Sequence, residues 1–457
     1  MTVALKGDLL IVGGGASGML AALGARDTLR NLHIPDDAFT IILLERNARQ
    51  GAKLRISGGG KCNVTHEGES GELLLKGFFD KAERRFLKHS FFSFTNSDLC
   101  SLLDRYGVKT AARPDGKVFP VSERAADVLK AFEAMLLDAG INMISSCRAS
   151  ALKRDSEQFT VDSSRGQFNS SALILAVGGV SYATTGTTGD GLAFARKFGH
   201  SVIDPSPALA PVVTKKVPPA DLVGVSLRSV TLFVSVSHER VERRGDVLIT
   251  HRGLTGPAVL SLSRQIAKFA LQHRAAELYV DLFPAHTSTE LQELFLQHAR
   301  KNGTQMVRKF LQSAPIAPPS GSFAIFPYGT IPTALVPFIM RHAALEPDVR
   351  WSELKKDERK SLLDVLKRFP MGTVKSVPLD EGEVSAGGIA LKEVNPKTME
   401  SRLVPGLYCC GELLDYAGEI GGFNLQAAFS TGWTAGRNAA ERLAGGKHPN
   451  AGSSHLR

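Results

Sequence analysis

Gly13, Gly15 and Gly18 stand directly behind the apolar run Leu9 to Val12 in the stretch DLLIVGGGASGMLAAL. The pattern G-x-G-x-x-G, where a short buried strand meets a helix, is the spacing of a turn that cradles a pyrophosphate. Gly13 permits the tight turn, Gly15 lets the backbone approach the phosphates, and Gly18 lets the helix lie close to the strand. Ala16 and Ser17, inside the same turn, open a helix whose free N–H groups and positive dipole end attract an anion. The turn alone also fits a glycine-rich packing junction, so a ribose-binding acid has to complete it. FTIILLE, Phe39 to Glu45, supplies one, as a second strand pattern that ends in Glu45. The interval from the glycines exceeds the roughly 20 residues usual for such an acid, and the loop NLHIPDD absorbs the excess. Glu45 would accept a hydrogen bond from a ribose 2′-OH and repel a 2′-phosphate, so the pair predicts a dinucleotide other than NADP in this turn. Arg46, next in the chain, joins the expected cofactor-binding set.

The following stretch, RNARQGAKLRISGGGKCNVTH, superficially matches a phosphate-binding Walker loop. Arg55 occupies the place of its first glycine and Cys62 that of the Ser or Thr after Lys61, which excludes a nucleotide triphosphatase. Ser57, Gly58, Gly59 and Gly60 can still wrap an extended cofactor closely, since glycine has no Cβ to obstruct it. A bare surface loop is the alternative. Ala172 to Val177 read as another buried strand, ending in Gly178 and Gly179, with Asp190 as the N-cap of the helix behind it. Leu407 to Cys410 read as a third, followed by the strand-end turn Gly411-Glu412 and by Gly421-Gly422 at the head of a helix from about Phe423 to Leu443. Ala428, Gly432, Ala435, Gly436 and Ala439 would let this helix pack closely on the first one, returning the end of the chain to the domain that its beginning started. That return bears on the cofactor. NAD needs only the βαβ halves around the pyrophosphate, whereas a flavin needs partners for its pyrimidine edge. The helix start Gly422 to Gln426 would aim N–H groups at flavin N1 and the C2 carbonyl. The opening turn is therefore expected to hold FAD.

At 457 residues the chain exceeds one hydrophobic core, so two or three domains are expected. Hydrophobic content of 43% and charged content of 22% are those of an ordinary globular protein. No apolar run reaches the roughly 18 residues of a membrane span, and Met1 to Asp8 lacks the order of a signal peptide. A cytoplasmic protein without membrane contact is expected. The net charge is +10, but the basic pairs and runs at Lys153-Arg154, Lys215-Lys216, Arg240 to Arg244 and Lys355 to Lys360 are dispersed and mostly lie among acids. That pattern reads as solvated surface rather than a nucleic-acid face. Cys62, Cys100, Cys147, Cys409 and Cys410 form no C-x-x-C pair, so neither a zinc site nor a redox disulfide is expected, and no other metal site. Helical patterns run from about Lys81 to Tyr106 and from Glu123 to Ala139, around the turn RPDGKVFP, and ALKRDSEQFTVDSS reads as a small meander. Strand-type alternation runs from about Ser201 to Leu282, and helices dominate from about Thr289 to Arg368 around the loop APIAPPSGS.

The sequence resembles the BaiN/YhiN-type flavoproteins, also called the aminoacetone oxidase family of FAD-binding enzymes. The resemblance is carried by LLIVGGGASGM, GAKLRISGGGKCNVTH, GKVFPVS, LILAVGGVSYATTGTTGDG, GEVSAGGIALKEVNPKTMESRLVPGLYCCGELLD and GEIGGFNLQAAFSTGWTAG, and spans nearly the whole chain. S-G-G-G-K-C-N and G-G-F-N-L-Q are its most specific segments. It implies an α/β fold in which a Rossmann-like FAD-binding domain of the glutathione-reductase type is interrupted by a β-barrel-like domain carrying a helical insert. On this chain that gives residues 1–200 and 391–446 for the FAD domain, 201–282 and 369–390 for the barrel, 283–368 for the insert and 447–457 for a tail.

By the same resemblance, Gly13, Gly15, Glu45, Lys53, Gly58, Gly60, Asn63, Gly411, Asp415, Gly422, Asn424 and Leu425 fall on cofactor-contacting segments. Glu412, Gly421, Gln426, Gly178 and Gly179 are expected beside them, with the meander around Ala149 bordering the adenine. Tyr416 to Glu419 and the Pro-rich insert depart from the family's commonest pattern. The family names imply reduction of a conjugated enone or oxidation of a small amino-ketone, with hydride or two-electron transfer at flavin N5 and a small-molecule substrate. NADH and NADPH are candidate electron donors, although no second G-x-G-x-x-G unit supplies a domain for them. Tyr182 and Lys117 are candidates to donate a proton or polarise a carbonyl. Two other readings stand beside this one: a flavoprotein acting on nucleic acid, if the basic residues converge on one face, and a non-catalytic FAD-binding sensor.

Overall fold

The computed structural model describes residues 5–236, 239–272, 276–313 and 331–447; the loop APIAPPSGS and the tail AGSSHLR lie outside them. The chain forms two compact units, one of residues up to Ser206 together with those from Glu383 onward, the other Pro207–Gly382.

The first unit is built on a five-stranded sheet in the order Leu407–Cys409, Ala172–Leu175, Leu9–Val12, Ile41–Leu44, Asn142–Ile144. Every pairing is parallel. The three strands led by Leu9, Ile41 and Ala172 are apolar throughout and buried at every position, as a parallel sheet covered on both faces requires. Val12 pairs with both Leu44 and Leu175, so the carboxyl ends of the central strands finish side by side, where open α/β sheets bind nucleotides.

Two helices close this core, Ala16–Asn31 and Phe423–Lys447. Their small residues touch as the sequence predicts. A Cβ at Gly432 would overlap the carbonyl of Ser17, one at Gly436 that of Ala21, and one at Gly24 would stand 2.7 Å from the carbonyl oxygen of Trp433. The meander is also present, as Ala149–Asp155, Gln158–Ser163 and Gly166–Ser170 in a four-stranded sheet. Thr65–His66, Lys117–Pro120 and Thr110–Ala112 form a further small sheet.

Two local readings are corrected. The single helical pattern from Lys81 to Tyr106 is two helices, Lys81–Ser93 and Asn96–Arg105, because Phe94 is extended and Thr95 with Asp98 forms a capping box that starts the second. Asp190 is the first residue of its helix rather than the cap. Gly189, at φ 81°, makes the left-handed entry, and Asp190 turns to Arg148 at 2.9 Å.

The second unit contains a closed barrel in the order Val212–Thr214, Gly253–Thr255, Glu239–Ile249, Ser226–Val236, Glu277–Asp281, Phe369–Ser376. Helices Ser288–Lys301, Val307–Ser313, Val336–His342 and Lys356–Lys367 share its hydrophobic core, with Trp351 buried between Phe295 and Phe310. The strand Val384–Ile389, grouped with the barrel by sequence, belongs to the first unit. A Cβ at Gly387 would lie 2.6 Å from the Asp204 carbonyl oxygen and one at Gly388 2.5 Å from that of Leu413, so these glycines let the strand run against first-unit backbone.

Candidate cofactor site

The opening turn has the geometry its glycines require. Gly13 adopts φ 107°, and Gly18 abuts the Gly13 carbonyl so closely that a Cβ there would overlap it. Gly15 differs, since a Cβ on it would meet nothing within 4 Å. It is also the N-cap of the first helix, with no side chain capping that end and no acid in the first turn. An unfilled cradle in front of uncapped N–H groups fits a phosphate. Ser17 is buried just behind, against Gly411, whose N–H donates to Thr431 Oγ1 at 3.0 Å.

Glu45 ends its strand, buried beside this turn. One carboxylate oxygen accepts the Gly14 N–H at 2.8 Å, the other the backbone and side-chain amides of Asn47 at 2.8 and 2.7 Å. Burial pushes its pKa up against the pull of these donors. Glu45 is thus held in place by the turn that it serves, with acceptor capacity left for a ribose hydroxyl. Arg46 reaches the other way, to the Gly186 carbonyl at 3.0 Å and Thr188 Oγ1 at 2.8 Å, and fastens the loop after Tyr182. Ala149 is buried in the core at the start of the meander.

A second group gathers around Lys53. Its Nζ donates to Glu412 Oε2 and Ser181 Oγ, both at 2.6 Å. Glu412 Oε1 accepts from Ser181 Oγ at 3.0 Å and from the Ser385 N–H at 2.8 Å. Gly179 packs against Ser385 and Glu412, and Gly178 against Thr187, so the second strand end meets the third through polar side chains.

The loop Ser57–Gly60 is a defined turn, not a bare connection. Gly58 and Gly59 are left-handed at φ 56° and 67°, and the Cys62 N–H closes the turn on the Ser57 carbonyl at 3.0 Å. Gly59 and Gly60 both face open space. Burial pushes the Cys62 thiol up to about 12, which makes it a packed thiol rather than a nucleophile.

The loop then joins the head of the last helix. With its amide oriented to satisfy both ends, Asn63 accepts the Gly422 N–H at 3.0 Å and donates to Thr65 and Val118 carbonyls. His66 Nδ1 lies 3.1 Å from the Gly421 carbonyl and its ring stacks on Phe423 at 4.7 Å. Asn424 clasps Gly418 through both backbone groups, at 2.7 and 2.9 Å. Gln426 is fully engaged inside, with Thr65 Oγ1, the Phe94 carbonyl and Ser430. Both side chains are thus occupied within the protein, and the Gln426 N–H closes on the Gly422 carbonyl at 2.9 Å, so the N–H groups of Phe423 to Leu425 are those the helix start leaves over. Leu425 is half-buried in the same turn, and the Asp415 N–H is tied to Ile389.

A family model described as HI0933-like protein Rossmann domain matches residues 7–438. The chain belongs to the HI0933-like family. Its likeness to the 3-dehydro-bile acid delta(4,6)-reductase of Clostridium scindens is 30% identity over 94% of this chain and 98% of that one. The ribosomal RNA dihydrouridine synthase of Escherichia coli is 26% identical over 93% and 96%. Among solved structures, 3-ketosteroid delta1-dehydrogenase from Sterolibacterium denitrificans superposes with a TM-score of 0.50 at 12% identity, covering 96% of this chain and 100% of that one, a likeness of fold. This HI0933-like chain is an FAD-dependent oxidoreductase.

Of the two residues offered for proton transfer, Lys117 is paired to Asp115 at 2.7 Å. Tyr182 stands in a left-handed bend at φ 51°, its carbonyl accepting the Thr185 N–H and hydroxyl at 2.8 Å. Sequence reasoning missed Ser181, Ser385, Asn47 and His66, all in or beside quoted motifs. An isolated Ser, Asn or His has no spacing rule, and only the partner it meets gives it a role. Among the described residues no helix is long and apolar enough to cross a membrane. All five cysteines are free thiols.

Proposed function

We propose that this FAD-dependent oxidoreductase reduces a carbon–carbon double bond conjugated to a carbonyl. The observation that carries the reading is a shared reaction. Two curated relatives that match this chain over more than nine-tenths of its length are named for different substrates, a 3-dehydro-bile acid and ribosomal RNA uridine, yet each name denotes saturation of such a bond. When bound, FAD supplies hydride chemistry at N5.

The residues would divide the work as follows. Gly15, the first-helix N–H groups and Glu45 hold the pyrophosphate and ribose. Ser57 to Gly60 and Asn63 would lie along the extended cofactor, and the backbone N–H groups of Phe423 to Leu425, beyond the Gly422 N–H that Asn63 takes, would face the pyrimidine edge, where they favour the negative charge of the reduced ring. Lys53, with two of its three donors used by Glu412 and Ser181, has one left for a cofactor or substrate oxygen. Gly13, Ala16, Ser17, Gly18, Gly178, Gly179, Gly411 and Gly421 shape the walls. Oxidation of an amino-ketone, the other activity the family names imply, has no feature here that favours it.

The test is an anaerobic absorbance titration of the flavin-loaded protein with NADH and NADPH, followed by a panel of enones and amino-ketones. Bleaching by a pyridine nucleotide and recovery on adding an enone is the expected result. Bleaching by an amino-ketone, reversed by air, would overturn it.

A further inference from the structure

Glu383 stands immediately before the strand Val384–Ile389 and two residues before Ser385, which bonds to Glu412 through both its N–H and its hydroxyl. Its carbonyl oxygen lies 3.4 Å from Ser181 Oγ, the same hydroxyl that Lys53 reaches. Lys53 and Lys117 are the two charges that act on the Glu383 carboxyl group, and they arrive on different elements, the helix Ala52–Ile56 and the strand Lys117–Pro120. Each is already matched, Lys53 to Glu412 at 2.6 Å and Lys117 to Asp115 at 2.7 Å. His66 pairs with Lys117 across the small sheet and reaches the Gly421 carbonyl, so the group continues to the head of the last helix. Glu383 is open to solvent, yet protein crowds it closely enough that desolvation lifts its pKa above the ordinary carboxylate value, against the pull of both lysines. An acid that water reaches but hydrates poorly lines a cleft, and it keeps its proton at a pH where a surface glutamate has lost it.

We propose that Glu383 is the proton donor of the reduction, delivering its proton to the α-carbon of the conjugated double bond. The proposal rests on the enone reading above and supplies the acid that this reading leaves unassigned. The β-carbon receives a hydride from the reduced flavin, and the π pair of the double bond moves toward the carbonyl to give an enolate. The α-carbon of the enolate then forms its C–H bond with the Glu383 proton, whose former O–H pair stays on the carboxylate. The substrate gains two electrons that the flavin loses, and a pyridine nucleotide restores the flavin. Lys53 has one donor left beside Glu412 and Ser181, and an enone whose carbonyl oxygen takes it carries its α-carbon only two bonds further on. Lys53 and Lys117 stabilise the carboxylate that remains, and solvent returns its proton. Lys117, itself a candidate from the sequence, is bound to Asp115 and supports the acid instead of replacing it.

The test compares the full-length wild type with Glu383→Gln and Glu383→Asp. Reduced, flavin-loaded protein is mixed anaerobically with an enone, and recovery of the flavin absorbance is timed. Recovery should slow by about 100-fold or more in Glu383→Gln and regain part of that loss in Glu383→Asp, the usual weight of a general acid. The wild-type rate should fall as pH rises through the Glu383 pKa, and that limb should vanish in Glu383→Gln. A nitroalkene accepts hydride to give a nitronate, an anion stable without a proton, so with it the loss in Glu383→Gln should be smaller by about tenfold or more. A further readout needs no flavin. Because the folded pKa lies above the unfolded value near 4.5, the wild-type apoprotein has this contribution in full below pH 4.5 and loses it as pH rises toward the folded value. Denaturant midpoints of wild type and Glu383→Gln should agree at about pH 4 and separate by about pH 7.5, with Glu383→Gln the more stable. Equal flavin recovery by the two proteins would overturn the proposal. So would equal losses with enone and nitroalkene, or a midpoint difference that does not change with pH. If no enone restores the wild-type flavin, the reaction assigned above falls and takes the proton donor with it; if wild type responds and Glu383→Gln is unimpaired, only the role of Glu383 falls.

Discussion

Lys53 Nζ and Glu412 Oε2 lie 2.6 Å apart although 359 positions separate them in the chain. The pair joins the short helix Ala52–Ile56, which follows the second strand, to the turn after the last one, and Ser181 and Ser385 complete it from two further segments. Four distant stretches thus meet at one polar node beside the cofactor turn.

Loss of charge at that node should be felt twice. Glu412→Gln keeps the shape and leaves Lys53 without its anion. Both side chains retain some exposure, 25% and 16%, so a destabilisation of about 1–2 kcal/mol is expected, below the cost of breaking a fully buried pair. FAD affinity should fall about tenfold, equivalent to 1.4 kcal/mol. Thermal unfolding of the apoprotein and a flavin fluorescence titration read the two effects separately, and no change in either would refute the role given to the node.

Gly15 and Gly18 should respond oppositely to alanine. Gly15 has φ −78°, open to any residue, and empty space where a Cβ would go, so Gly15→Ala should fold normally and bind FAD more weakly. Gly18→Ala drives a methyl into the Gly13 carbonyl and should destabilise the apoprotein by about 2 kcal/mol or more. Chemical denaturation with and without FAD separates the cases. Unaltered FAD binding by Gly15→Ala would mean that this turn does not meet the cofactor.

The last helix offers its own control. A methyl at Gly436 collides with the Ala21 carbonyl, whereas Gly445 on the same helix faces open space. Gly436→Ala should lose about 1–3 kcal/mol, and Gly445→Ala should be neutral or gain up to about 1 kcal/mol from helix propensity. Equal melting temperatures for the two variants would contradict the close approach of the first and last helices.

Stability should fall in mild acid through His200. Its ring is fully buried, with Nδ1 3.2 Å from Glu393 and Nε2 2.9 Å from Ser401 Oγ, and burial holds its pKa below the ordinary value. Below pH 6.5 the unfolded chain takes up a proton that the folded protein refuses. The contribution is therefore complete above pH 6.5 and is lost as pH falls toward the lowered folded value, by at most about 1.4 kcal/mol per pH unit. Denaturant midpoints from pH 7.5 to 5.5 should show this slope, and it should shrink in His200→Asn.

Legibility followed locality. The G-x-G-x-x-G turn, the apolar strands, Glu45 and the small-residue face of the last helix are written in runs of a few residues with fixed spacing, and each is found as read. The break at Phe94 was hidden because the apolar period continues across it, and only the capping box of Thr95 and Asp98 marks a new helix. Asn424 and Gln426 were assigned to the cofactor by position, but a side chain's direction depends on what packs around it, and theirs turn inward.

By itself the sequence determined a dinucleotide-binding α/β fold and the return of the chain end to the domain that its beginning started, because backbone turns and buried strands leave short-range patterns. Tertiary structure alone decided the Lys53–Glu412 node and which charges of the helix Lys81–Ser93 stay in water. Linear order scatters these charges among acids, and folding sorts them by burying Glu83 and leaving Lys81, Arg85 and Lys88 in water. Electrostatic partners are chosen by distance in space, on which position in the chain has no hold.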